Sequence, residues 1–312
     1  MKIVVMGSGN IGSLLGALLT EAGQDVTLVD IREDLVAALK KDGLKINVTN
    51  GVKKQIKVKA ATSVSSTGKA DLVMITTKGF ATRAAMESAM PVVSKDTYIL
   101  SVQNGAGNIE TIAGITGDES HVICGTFHNN VYFTSINELT WVWASGGLIK
   151  MAPMNGQMNP MITEMSEIFQ KIGLKVLTLN QAQELIWNKM MYSVDMPVAA
   201  LLNMTNDEFG YYSTVPQIVS MLVDECLKVA KAKGVNMGEY FPPGNKSRFT
   251  DSAPIKCSMY QDIINNRRTE VDSTNGAVVR EGQKYNIPTP ANQMMFLFVK
   301  ALEEKAAKNK GK

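Results

Sequence analysis

An α/β domain followed by an all-α domain is the fold that this 312-residue sequence predicts, and three observations predict it. The first thirty residues run strand, glycine turn, helix, strand and acid. The first half of the chain alternates short apolar runs with helical ones. The second half carries helical periodicity almost throughout. A chain of this length exceeds what one hydrophobic core usually serves. Two domains are therefore expected, residues 1–180 and 181–312, with the boundary near Asn180.

The opening element is the most specific. Lys2 to Met6 reads KIVVM and predicts a strand. Gly7-Ser8-Gly9-Asn10-Ile11-Gly12 follows, then the apolar, helix-forming run Ser13 to Leu19, then a second strand, Asp25 to Val29, ending on Asp30. In this order the three glycines have separate tasks. Gly7 permits the tight turn, Gly9 lets the backbone approach a pyrophosphate, and Gly12 lets the helix pack close to the strand. The free N–H groups at the helix N-terminus then bind the anion. Residues 7–12 and Asp30 are the predicted dinucleotide site, and the first domain is predicted to be of the Rossmann type.

The later elements of the first half follow the same logic. Leu35 to Leu39 belongs to a helix that Gly43 ends. Leu44 to Val48 and Ile56 to Ala60 flank Thr49-Asn50-Gly51, a hairpin signal. Leu72 to Thr76 is a continuous apolar run, as a buried parallel strand requires, and Thr97 to Val102 is the next strand. These two end in Thr77-Lys78-Gly79 and Gln103-Asn104-Gly105-Ala106-Gly107. Ligands of open α/β sheets bind beyond the carboxyl ends of the strands, which places Lys78 and Asn104 where a cofactor or substrate would lie. Val122 to Tyr132, Thr140 to Ala144 and Leu148 to Met151 predict strands without intervening helices. A helix over Met161 to Ile172 and a strand over Lys175 to Leu179 close the domain. In the second half, helices are expected over Gln181 to Asn203 (interrupted by Pro197), Gln217 to Lys233, Ser258 onward, Thr269 to Tyr285 and Ala291 to Lys305.

Composition excludes several classes. A net charge of +3 is too small to imply nucleic acid or a membrane surface as partner. Cys124, Cys226 and Cys257 show no CxxC pairing and no neighbouring histidine cluster, so no metal site is expected and free thiols in a reducing cytoplasm are. No apolar run spans a bilayer. A cleaved signal peptide is not expected, because the predicted cofactor strand begins at Lys2. Lys305 to Lys312 reads as a frayed tail. Only His121 and His128 are available as histidine acids. His128 lies in an apolar strand and reads better as a satisfied interior or edge residue. The 19 methionines read as core filler.

Three segments of the helical half carry candidate chemistry. In Trp187-Asn188-Lys189-Met190-Met191-Tyr192-Ser193, a lysine sits among apolar neighbours, with Ser193 and Met196 on its face at i+4 and i+7. It is either a functional ammonium held by a partner or a side chain that snorkels to water. In Pro254 to Asp262, Ser258 and Gln261 form the S-x-x-Q pattern of a capping box. Such a helix start also suits a substrate carboxylate. In Arg267-Arg268-Thr269-Glu270-Val271-Asp272, followed by Asn275-Gly276, Thr269 reads as an N-cap where the chain breaks direction. In one straight helix Ser258 and Glu270 would stand about 18 Å apart at about 1.5 Å per residue; a break lets them share a site.

The combination G-x-G-x-x-G, T-x-K, Q-N-G, W-x-K and S-M-x-Q-D…R-x-T-E-x-D…N-G resembles the ketopantoate reductase (2-dehydropantoate 2-reductase) family, from Gly7 to Gly276. The resemblance implies a C-terminal helical domain similar to that of 6-phosphogluconate dehydrogenase. It implies NAD(P)H-dependent reduction of a small 2-keto acid, with 2-dehydropantoate to pantoate first, in a cytoplasmic enzyme of pantothenate biosynthesis. Lys189 matches the family's general acid and Glu270 the glutamate that assists it. Asn104 and Ser258 match residues that bind cofactor and substrate, Ser193 falls where substrate contacts are made, and Lys78 lies near the cofactor. A homodimer through the helical domain is expected by analogy only.

Two departures stand out. Family members carry asparagines one and two turns after the lysine; here Tyr192 or Ser193, and then Met196 before Pro197, occupy those places. A site that loses hydrogen-bonding groups loses the discrimination they gave, which points toward a different keto acid. The family also prefers NADPH, often with an arginine just after the second strand. Asp30 would accept from a ribose 2′-OH and repel a 2′-phosphate, which favours NADH, while Arg32 and Lys78 keep NADPH open. A dinucleotide-binding regulator without turnover is the alternative of another class; Lys189 and Glu270 argue against it.

Overall fold

The computed structural model describes residues 1–143, 147–205, 207–237 and 256–310. The chain divides into two compact units, one of residues 1–103 with 108–185 and one of residues 104–107 with 186–312.

The first unit is built on strands β1 (Lys2–Met6), β2 (Asp25–Val29), β3 (Leu44–Val48), β4 (Lys53–Ile56), β5 (Lys59–Ala61), β6 (Leu72–Ile75), β7 (Tyr98–Ser101), β8 (Val122–His128), β9 (Asn130–Ser135), β10 (Glu138–Val142), β11 (Leu148–Pro153) and β12 (Lys175–Thr178). Its helices are α1 (Asn10–Glu21), α2 (Glu33–Asp42), α3 (Thr82–Ala89), α4 (Asn108–Thr116) and α5 (Pro160–Lys171). Eight strands form one sheet in the order β12-β11-β8-β7-β6-β1-β2-β5. From β5 through β8 all neighbours are parallel, and β11 runs antiparallel to β8. The order of the parallel part is that of a dinucleotide-binding Rossmann sheet, with its reversal at β1. The fully buried LVMI run of β6 has the continuous apolarity of a strand covered on both faces.

A second sheet, β4-β3-β10-β9, packs on α1 from the other side. Covered by both sheets, α1 buries every residue from Gly12 to Leu19. Three sequence expectations are corrected here. The run Val122 to Tyr132 is two strands in different sheets, divided at Asn129. The hairpin partner of β3 is Lys53–Ile56 rather than Ile56 to Ala60. The residues Lys59–Ala61 join β2 in the large sheet instead. The strand expected over Thr140 to Ala144 is β10; Ala144 itself lies outside the described residues.

The second unit is helical. The helix α6 (Ala182–Met190) begins in the first unit and carries its last residues into the second; α7 (Met196–Leu202), α8 (Val215–Ala232), α9 (Ser258–Ile264), α10 (Asn275–Lys284) and α11 (Pro290–Lys310) follow. The long helix expected over Gln181 to Asn203 is therefore two helices parted by the turn at 191–195, with Pro197 in the first turn of α7. There its missing N–H costs nothing. The helix expected from Thr269 starts only at Asn275, with Thr274 at its N-cap. The tail expected to fray from Lys305 is helical to Lys310, and residues 311–312 lie outside the described residues. A small core of Ala200, Met259, Val271 and Val299 joins α7, α9, the 269–274 turn and α11.

Candidate active site

In the first unit the glycine turn is fixed from three sides. Gly7 donates to Val29 O at 2.8 Å, which joins the turn to the end of β2. Thr76, just past β6, donates its hydroxyl to Gly7 O at 2.7 Å. Gly7 itself has φ +100°, and a Cβ there would lie 2.7 Å from the Thr77 methyl. A Cβ on Gly12 would overlap the Gly7 carbonyl oxygen, whereas one on Gly9 would meet nothing. The two conformational tasks read from the sequence are thus visible at Gly7 and Gly12, and Gly9 opens on free space.

This cradle fits a dinucleotide. No side chain caps the N-terminus of α1, so the N–H groups of Asn10 and Ile11 remain for a ligand. The Ser8 hydroxyl is fully buried and has no hydrogen-bond partner among the described residues. Asp30 stands beside the turn and accepts from Ser8 N–H at 2.8 Å and from Arg32 N–H at 3.0 Å. The Arg32 guanidinium is 3.7 Å from the same carboxylate and half exposed. An ionised carboxylate has about four acceptor sites, so two backbone bonds leave room for a ribose hydroxyl. Lys78 precedes a short 3₁₀ turn over Gly79–Ala81. Gln103, buried at the end of β7, donates to Thr77 O at 2.9 Å and Thr82 Oγ1 at 2.8 Å, which braces the loop that carries Lys78.

The second unit holds a small, narrow cleft lined by Asn104, Met196, Ser258, Met259, Asp262, Glu270 and Thr274. It brings together three residues that the sequence marked separately: Asn104, Ser258 and Glu270. Asn104 arrives on the 104–107 loop, which Ala106 N–H ties to Ser273 O at 2.8 Å. Gly105 has φ +86°, and a Cβ there would lie 2.6 Å from that of Ser273, which accounts for the glycine of Q-N-G. Ser258 is the first residue of α9, exposed, with its hydroxyl 3.8 Å from Met196 Sδ. The predicted capping box is corrected: Cys257 is the N-cap, and its sulfur accepts from Tyr260 N–H at 3.4 Å. Ser258 is thereby free of the capping task. Burial pushes the Cys257 thiol up to about 11, so it is held as a thiol.

The chain does break after α9, as expected. Asn266 adopts φ +51°, and the next residues form the turn that carries Glu270. Thr269 is not a helix N-cap; its N–H and hydroxyl both donate to Glu303 Oε1 at 2.7 Å, which fastens the turn to α11. The Glu270 carbonyl accepts from Ser273 N–H at 3.0 Å and Thr274 N–H at 3.1 Å. Glu270 is only 9% exposed and lines the cleft.

Lys189 is half-buried on the last turn of α6. Its carbonyl accepts from Tyr192 N–H at 3.0 Å and from Ser193 Oγ at 3.1 Å. Ser193 is fully buried, so the substrate contact expected of it has no exposed surface to act through. Met196 lines the cleft. Met259, Asp262 and Thr274 join the cleft without a sequence signal of their own, although the first two lie inside S-M-x-Q-D. His128 ends β8 with Nε2 at 3.0 Å from Thr126 Oγ1, a half-buried strand-end histidine with a local partner. Among the described residues no cluster of three or more His, Cys, Asp or Glu could hold a metal, and no helix is long and apolar enough to cross a membrane.

Comparison with known proteins covers nearly the whole chain. Residues 3–156 match the family model "Ketopantoate reductase PanE/ApbA" and residues 181–303 its C-terminal counterpart. The 2-dehydropantoate 2-reductase of Pyrococcus horikoshii is 32% identical over 97% of this chain and 98% of that protein. The crystal structure of 2-dehydropantoate 2-reductase from Geobacter metallireducens superposes with a TM-score of 0.88 at 25% identity, covering 98% of this chain and 100% of that one. D-mandelate dehydrogenase, in its ternary structure with NADH and anilino(oxo)acetate, shares the fold with a TM-score of 0.89 at 24% identity, covering 98% and 99%. The chain belongs to the ketopantoate reductase family of NAD(P)-dependent oxidoreductases.

Proposed function

We propose that this chain reduces a small 2-keto acid to the 2-hydroxy acid, with 2-dehydropantoate to pantoate as the first candidate. The observation that carries the reading is the convergence of Asn104, Ser258 and Glu270, from three separate segments, on one cleft of the helical unit. The bound nicotinamide coenzyme supplies the hydride. In this reading the Lys189 ammonium donates its Nζ proton to the ketone oxygen and stabilises the alkoxide charge as it develops. Glu270 hydrogen-bonds within the site and holds the acid in line. Ser258 and Asn104 bind substrate and cofactor. The glycine turn, Asp30, Arg32 and Lys78 bind the dinucleotide, with Asp30 favouring NADH.

A second reading concerns the substrate alone. Met196 and Met259 line the cleft, and methionine adapts to varied apolar shapes. They favour a 2-keto acid with an apolar side chain over one that presents a hydroxyl to an amide.

The test is a keto-acid panel with both coenzymes, together with Lys189→Ala. This variant is expected to bind coenzyme nearly as the parent does and to lose about 10²–10⁴-fold in turnover, the usual worth of a positioned acid. Full activity in the variant would remove Lys189 from the mechanism. Rates on 2-dehydropantoate no better than on pyruvate would remove it as the substrate.

A further inference from the structure

We propose that Asn275 is a positioning residue of the reaction: its carboxamide ties the turn that follows Lys189 to the turn that carries Glu270. The inference rests on the reading above, in which those two residues act together.

Asn275 is fully buried at the start of α10. Its Nδ2 donates to Val194 O at 2.9 Å and to Asn292 Oδ1 at 3.1 Å, which uses both of its N–H groups. Val194 is rigidly joined to Lys189. Its N–H donates to Met190 O at 3.0 Å, and within the same turn Ser193 N–H donates to Met190 O at 2.8 Å. Asn275 is as rigidly joined to Glu270. Thr274 donates its N–H to Glu270 O at 3.1 Å, and its hydroxyl lies 3.1 Å from that oxygen and 3.3 Å from Asn275 Oδ1. One amide therefore sits between the backbones of the proposed acid and its carboxylate.

The amide cannot turn over. Asn292, also fully buried, commits its own Nδ2 to Leu222 O at 2.9 Å and Glu225 Oε2 at 2.8 Å, which leaves Oδ1 as the acceptor facing Asn275. Glu225 takes the first N–H groups of α11, from Ala291 at 2.8 Å and Asn292 at 2.9 Å, where the helix dipole favours its charge. Three buried polar side chains thus form one satisfied chain from α8 through α11 to the Lys189 turn. Apolar side chains of like volume hold helices together at least as well. What the polar chain adds is direction: each bond has a fixed donor and acceptor, so the Lys189 and Glu270 turns have one relative placement.

The test compares Asn275→Ala and Asn275→Ser with the parent, with rates expressed per coenzyme site by binding stoichiometry so that misfolded protein is not counted. The expected result is a fall in kcat of about 10²-fold, the cost of roughly 1 Å of misalignment. Coenzyme Kd should stay within about twofold, because the bound end is untouched, and the acid limb of the kcat–pH profile should move. A lower Tm with unchanged kcat per site and an unchanged pH profile would make Asn275 merely structural and overturn the proposal. If neither variant folds, Glu225→Gln and Asn292→Ala keep Asn275 but release its orientation. They should lower kcat per site in the same direction, and no change in them overturns the proposal equally. Lys189→Ala is run beside them. If it keeps full activity, the proposed role of Lys189 falls and this inference with it; if it is inactive while the Asn275 variants are not, only the positioning role falls.

Discussion

Between Lys2 and Asp30 the first unit shapes its candidate site with backbone, whereas between Lys189 and Asn292 the second unit shapes its own with side chains. The glycine turn is held by Gly7 N–H on Val29 O and by the Thr76 hydroxyl on Gly7 O. The cleft of the helical unit draws on the 104–107 loop, α7, α9 and the 269–274 turn. Its turns are set by the carboxamides of Asn275 and Asn292 and the carboxylates of Glu225 and Glu303. A backbone cradle binds any molecule with the right phosphates. A side-chain frame fixes where one proton donor stands. The first therefore tolerates no bulk at two glycines, and the second tolerates no loss of a donor or acceptor.

The largest break in this comparison is expected at Gly12. Its Cβ would overlap the Gly7 carbonyl oxygen, and backbone cannot move aside as a side-chain tip does. Gly12→Ala should cost about 1–3 kcal/mol of stability, the range for overpacking, and weaken coenzyme binding by at least about tenfold. Titration of coenzyme fluorescence and thermal melts read the two effects. Coenzyme binding at parental strength would show that the turn is not the cradle. The corresponding break in the second unit is Glu303→Ala. It removes the acceptor of both Thr269 donors and the 2.8 Å partner of Lys300. A cost of about 2 kcal/mol is expected for charged hydrogen bonds of this kind. Here kcat should fall while coenzyme Kd holds, the reverse of the Gly12 pattern.

This contrast also explains what could be read from the sequence. The dinucleotide turn occupies six consecutive residues, its constraints are steric, and glycine is the only residue type that meets them. The parallel strands announced themselves by apolar runs such as Leu72–Ile75. The break before Glu270 and the separate sites of Asn104 and Ser258 were legible as motifs, because each is local. The placement of Thr269 was not: a threonine before an acid looks like an N-cap, and only the long-range carboxylate of Glu303 shows that its hydroxyl is used elsewhere. Ser258 looks like a cap for the same reason, although the cap is the sulfur of Cys257, a type that capping preferences do not favour. The division of Val122 to Tyr132 into two strands is hidden because residues on both sides of Asn129 suit a strand and one intervening residue is enough to part them. The Asn275–Asn292–Glu225 chain spans 67 residues from Glu225 to Asn292 and has no local signature.

Asp30 sharpens the comparison with a smaller effect, because it is a charged side chain bonded to the backbone cradle. Its carboxylate accepts from Ser8 N–H, and the proposed function gives it the ribose hydroxyl as a further donor. Asp30→Ala should lower the preference for NADH over NADPH by about 1–2 kcal/mol, or roughly 5- to 30-fold, with kcat on the better coenzyme little changed. Initial rates against each coenzyme measure the ratio. An unchanged ratio would show that Arg32 and Lys78, not Asp30, set the choice.

The smallest expected effect lies at the rim of the second frame, where Asp272 meets Arg268 at 3.1 Å and Lys300 at 3.3 Å. Burial alone would raise the Asp272 carboxyl, but the Arg268 hydrogen bond and the Lys300 charge outweigh it and hold it below the usual range. Burial likewise works against the Lys300 ammonium, and Glu303 and Asp272 together raise it above its ordinary value. A depressed carboxyl stabilises the fold above its unfolded value of about 3.9 and loses that contribution as pH falls through its folded value. A raised lysine contributes below about 10.4 and loses its share as pH rises through its folded value. Asp272→Asn should therefore cost less than about 1 kcal/mol between about pH 5 and 9, since both partners are partly solvated and screened. The difference from the parent should close toward pH 3 and diminish again above about pH 10. Denaturant unfolding across this range measures it. A difference that persists undiminished at pH 3 would mean that Asp272 acts through packing and not through its charge.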